Sequence, residues 1–63
     1  MNKYKRLRLV LGLTQKDFSL QVGISQASVC KYENGSRRPG LSSSIKMQKL
    51  ADDNKVKFDA FSF

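Results

Sequence analysis

Sixty-three residues with one cysteine and no histidine leave neither a disulfide nor a Cys/His zinc cluster to staple the chain, so a single domain must rest on one small hydrophobic core. Apolar residues make up 40% of the sequence, too many for a typical disordered segment, and the longest mostly apolar run, residues 7–13, is too short to span a bilayer. Twelve Lys/Arg against five Asp/Glu give a charge of +7, which points to a polyanionic partner: nucleic acid, acidic protein or anionic lipid. The lone thiol and the lack of a signal-peptide pattern lead to the expectation of a soluble, cytoplasmic protein.

Residues 2–11 mix basic and apolar side chains, and Tyr4, Leu7 and Leu11 fall at i, i+3 and i+7, one stripe of a first helix that Gly12 ends. Thr14 is the expected N-cap of a second helix, with Asp17 in the place of a capping-box glutamate and Phe18 and Val22 on one face, up to Gly23. Ser25 caps a third helix carrying Ala27, Ser28, Val29 and Tyr32, which Asn34 and Gly35 stop. Residues 36–40 read as loop around Pro39, and residues 42–44 offer a serine cap for a fourth helix with Ile45, Met47, Leu50 and Ala51. In the tail, Phe58 and Phe61 fit a fifth short helix, whereas Val56, Phe58 and Ala60 fit a strand; the helix is the favoured reading.

The pair of helices between Gln15 and Val29 matters most. They meet at a tight turn marked by Gly23, with Ser19 at their closest approach and Ile24 and Val29 placed to pack on Phe18 and Val22. Such a turn lets two helices cross steeply, so that the second protrudes and can enter a groove about 12 Å wide. An ordinary helical hairpin within a bundle has the same spacing.

The ordered set Leu13-Thr14-Gln15, Gly23-Ile24-Ser25, Val29, Tyr32-Glu33-Asn34-Gly35 and Arg38-Pro39 resembles the helix-turn-helix domain of phage Cro/repressor proteins and of related bacterial regulators, the XRE family. The likeness runs from about Tyr4 to Phe61. It implies an all-α, lambda-repressor-like domain of four to five helices over residues 1–63, with helices 2 and 3 forming the helix-turn-helix. It also implies an ion pair between Arg8 and Glu33 that braces helix 1 against the recognition helix, and a final segment, residues 56–63, that closes the core and supports dimerisation. Two departures stand out: Ser19 replaces the family's usual alanine, and residues 40–44 lengthen the stretch before Ala51.

On the recognition helix, Gln26, Ala27, Ser28 and Lys31 are the expected base readers. Glutamine matches the donor and acceptor of adenine, lysine the acceptors of guanine, and alanine can lie against a thymine methyl. Cys30 reads as a small filler rather than a sensor. Gln15, which matches a backbone-contacting position of the family, is expected on phosphates with Lys16, Ser25, Asn34, Ser36, Arg37 and Arg38.

Phe58, Phe61 and Phe63 place three of the four phenylalanines in the last six residues, which suggests a dimer surface. The expected function is a sequence-specific repressor, Cro-like, acting in a bacterial cell or phage-infected host on a palindromic operator in double-stranded DNA. The homodimer is expected to form mainly on DNA, with no catalytic residues, cofactor, metal, small-molecule ligand or membrane. The alternative is an antitoxin-like or repressor-antagonist module whose main partner is another protein.

Overall fold

Each of the first three helices is opened by a polar side chain one residue upstream. Asn2 Oδ1 accepts from Lys5 N, Thr14 Oγ1 from Asp17 N and Ser25 Oγ from Ser28 N, at 3.0–3.1 Å. The structure, a computed structural model, describes residues 2–61. It contains α1 (Lys3–Val10), α2 (Gln15–Val22), α3 (Gln26–Glu33) and α4 (Leu41–Asp53), and no strand among the described residues.

The turn between α2 and α3 is set by backbone geometry. Gly23 has φ 77° and ψ 35°, the left-handed region that side chains with a Cβ enter at a cost. Its amide and that of Ile24 both donate to the Ser19 carbonyl, at 2.8 and 3.0 Å, closing α2 and turning the chain at once. Ser19 itself is buried and donates its hydroxyl to the Lys16 carbonyl at 2.6 Å, which satisfies its polar group.

Leu7, Phe18, Val22, Val29 and Met47 are almost wholly buried and, with Tyr32 and Ala51, form the core between the four helices. Tyr4, Ile24, Leu50 and Phe58 close its edges, and Tyr4 sets its ring against both Tyr32 and Phe58 at centroid distances of 6.0 and 6.2 Å. Ile45, expected on the apolar stripe of α4, is instead 52% exposed. The buried stripe of α4 runs through Ser44, Met47 and Ala51, at helical spacing, and Ile45 lies off it.

Two further expectations are corrected. The fourth helix is capped by Gly40 without a side-chain hydrogen bond, not by a serine of residues 42–44. Ser44 belongs to the buried stripe, and a helix that began after it would lose the turn that brings it there. The other correction concerns the tail, which forms neither the favoured fifth helix nor a strand over residues 56–61. Its polar backbone is bound by the side chain of Gln48, which donates to the Phe58 carbonyl at 2.8 Å and accepts from the Ala60 amide at 2.9 Å. Asp59 Oδ1 accepts from Phe61 N at 2.9 Å, a local turn that competes with helix formation. Ala60 is buried at the point where this loop meets the fold.

Gly23→Ala is expected to destabilise the domain by about 1–2 kcal/mol in urea unfolding. The cost lies in φ, since the nearest atom to an added Cβ is the flexible Lys46 Nζ at 3.6 Å. Gly40→Ala, at φ −71°, should change stability by less than about 0.5 kcal/mol.

Candidate nucleic-acid interface

Glu33, the last residue of α3, is the centre of a polar cluster that fixes this helix. Arg8 of α1 donates from Nε to Glu33 Oε2 at 2.7 Å and from Nη2 to Oε1 at 3.1 Å, a two-pronged pairing. Its Nη1 donates to the Leu13 carbonyl at 3.0 Å, so the same guanidinium also holds the α1–α2 connection. Gln15 Nε2, at the start of α2, donates to Glu33 Oε1 at 3.4 Å. Asn2 Nδ2 adds bonds to the Tyr32 and Glu33 carbonyls, so the side chain that caps α1 also receives the last carbonyls of α3. The side chains of Arg8 and Glu33 are only 12% and 6% exposed. The hydrogen bond to Glu33 raises the Arg8 pKa above its ordinary value; burial opposes this and the carboxylate's charge adds to it.

With α3 held at its C-terminal end, its outer face is open. Gln26, Ala27, Cys30 and Lys31 are exposed, while Val29 and Tyr32 are buried beneath them. Ser28 is half-buried, and its hydroxyl accepts from Ser25 Oγ at 2.9 Å, so these two side chains belong first to the cap of α3. Lys16 is exposed near the start of α2; Gln15 is half-buried with its amide turned to Glu33.

The loop after α3 is ordered by its own bonds: Asn34 Oδ1 accepts from Ser36 N at 2.9 Å, and Ser36 N also donates to the Lys31 carbonyl at 3.1 Å. Asn34, Ser36, Arg37 and Arg38 are all exposed on it. Arg38 stands close enough to Tyr4 for its charge to lower the phenol's pKa, although burial, the larger effect, leaves that pKa raised. Phe58 is half-buried against the core and Phe61 is 50% exposed; Phe63 lies outside the described residues.

Two contributors carry little or no mark in the sequence. Asn2 is legible in principle, as a capping residue just before the first periodic position. Gln48 carries no signal, because a glutamine on a helix gives no sign that it binds backbone ten residues on. Among the described residues, no buried side-chain nitrogen or oxygen lacks a hydrogen-bond partner, no group of His, Cys, Asp and Glu could hold a metal ion, and no helix is long and apolar enough to cross a membrane.

The family described as Helix-turn-helix matches residues 5–57. The match covers most of the chain, α2, the glycine turn and α3 included, and the chain belongs to this family as a DNA-binding transcription regulator of the XRE type. No curated protein and no solved structure matches the chain.

Breaking the Arg8–Glu33 pair from one side is expected to cost more than removing it. Glu33→Leu alone should lower stability by about 3 kcal/mol, because a buried guanidinium is left uncompensated, and Arg8→Met with Glu33→Leu should recover a large part of that. Urea unfolding of the two single variants and the double variant measures the coupling; additive losses would mean that the pair contributes nothing as a pair.

Proposed function

We propose that the protein is a Cro-like repressor that reads a two-fold symmetric operator, each protomer laying α3 in the major groove. What supports the reading best is the exposed row of Gln26, Ala27 and Lys31 on a helix whose other face is locked into the core. Gln26 would read adenine with its paired donor and acceptor, Lys31 would read guanine, and Ala27 would lie on a thymine methyl. Ser28, tied to Ser25, would reach a base through its own hydroxyl hydrogen or its second lone pair. The sequence-independent part of the affinity would come from Lys16, Arg37 and Arg38, with Ser25, Asn34 and Ser36 beside the phosphates. Gln15 would contact a phosphate while remaining within reach of Glu33.

A single α3 touches only a few base pairs, so discrimination in a genome calls for two copies about one helical turn apart, ~34 Å. Phe61 is the exposed end of an apolar patch, and Leu41, 71% exposed, lines a shallow cleft with it beside Pro39. A second copy of the chain would cover these side chains, with Phe58 supporting them from the core. A patch this small favours a dimer that is weak when free and completed on DNA.

Substitutions separate the two contributions to DNA binding. Gln26→Ala is expected to cost ~1–3 kcal/mol on the preferred site and little on random duplex. Arg37→Ala with Arg38→Ala should weaken both alike and reduce the slope of log K against log salt by about one for each phosphate left without its cation. Equal losses for Gln26→Ala on both duplexes would remove it from base reading.

The dimer has its own test. Leu41→Asp with Phe61→Asp should leave the fold intact, as both positions are solvent-facing, and abolish cooperative filling of paired half-sites in a DNA titration. Retained cooperativity would place the protomer contact elsewhere.

A further inference from the structure

One concavity among the described residues is not part of the surface assigned to DNA. An open cleft of about 980 Å³ runs between one stripe of α1 and the segment that follows α4. No residue of α2, α3 or the loop between α3 and α4 lines it.

Its chemistry is two-part. Four cations, Lys3, Arg6, Lys55 and Lys57, stand around it, and Asp59 is the one carboxylate among its lining residues. Between them lies apolar surface: Val10, 59% exposed, with half-buried Val56 and Phe58. The stripe on α1 is Lys3, Arg6, Leu7 and Val10, at i, i+3, i+4 and i+7, whereas Tyr4 and Arg8 point to α3.

The walls are fixed before anything binds. Gln48 holds the outer wall through its bonds to Phe58 and Ala60. Lys3 Nζ donates to the Asp59 carbonyl at 2.9 Å and lies 5.5 and 5.9 Å from the Tyr4 and Phe58 ring centroids. Such preformed walls lower the ordering cost of an occupant.

Lys55 supplies a further observation. It has φ 56°, and it is the only non-glycine residue in the left-handed region among those described. The amides of Lys55 and Val56 donate to the Asp52 and Ala51 carbonyls, the helix ending in which glycine is the usual residue at this position. The chain carries a lysine where glycine would be less strained, and that lysine lines the cleft.

We infer that this cleft binds an acidic, amphipathic segment of a partner protein, its carboxylates on Lys3, Arg6, Lys55 and Lys57 and one or two apolar side chains on Val10, Val56 and Phe58. Charge complementarity selects an acidic occupant, and the apolar strip between the cations selects a peptide over a nucleic-acid backbone, which has nothing to bury there. The site is independent of the DNA surface, so a regulator bound to its operator could be engaged by such a partner at the same time.

The test is selection of displayed random 12-residue peptides on the immobilised full chain, followed by anisotropy titration of the enriched peptides. Arg6→Gln with Lys57→Gln and Lys16→Gln with Lys31→Gln remove the same net charge from the cleft and from α2/α3, respectively. The cleft pair is expected to weaken peptide binding at least about tenfold and DNA binding by less than about threefold, and the α2/α3 pair to do the reverse. Lys55→Gly, which relieves the strained backbone and so keeps the fold, should also weaken the peptide. Failure to enrich acidic peptides with apolar anchors overturns the proposal. So do equal losses of peptide from both charge pairs, which would mean attraction to net charge alone. Phosphatidylserine vesicles that bind with the same dependence on Arg6 and Lys57 overturn it in favour of a membrane surface.

Discussion

The carboxylate of Glu33 is the constraint on which the reading surface depends. One side chain at the end of α3 receives Arg8 from α1 and Gln15 from α2, and Asn2 binds its backbone carbonyl. Helices of eight residues have little stability of their own, so tertiary contacts must fix their relative angles. The core seats the inner face of α3 through Val29 and Tyr32, but apolar packing tolerates small rotations. The forked Arg8–Glu33 pairing is directional and fixes the rotation at the C-terminal end of α3. On the proposed reading, an α3 misplaced by a fraction of its diameter would present Gln26 and Lys31 to the wrong edge of a base pair.

The rest of the fold supports that placement from below. Gly23 turns the chain between α2 and α3 with φ 77°, and the buried hydroxyl of Ser19 is satisfied within α2 by the Lys16 carbonyl. Met47 and Ala51 of α4, fully buried, floor the pair and make the core common to all four helices. Polar faces on α3 and in the loop that follows it are thereby left to the solvent, where a charged duplex can reach them.

Much of this is legible in the sequence because it is local. Thr14 and Ser25 act as caps within three residues of themselves, and Gly23 ends its helix through its own φ. The remainder depends on distance along the chain. Arg8 and Glu33 are 25 residues apart, and only the family resemblance joins them. The tail misleads for a physical reason: the spacing of Phe58 and Phe61 suits a helix, but Gln48 offers the backbone a competing set of partners that no local pattern reveals. The serines of residues 42–44 mislead likewise, since burial of Ser44 decides where α4 begins. On the outer face of α3 and at the start of α2 the residue types are plain from the sequence, and the structure adds which of them are committed to the protein: Ser28 to its cap and Gln15 to Glu33.

The central claim is that this surface reads sequence rather than charge. Selection of bound duplexes from a random library, at a salt concentration that suppresses non-specific binding, tests it most directly. The expected result is a two-fold symmetric site with half-sites about one helical turn apart, ~34 Å. Recovery of duplexes no different in sequence from the input would contradict it.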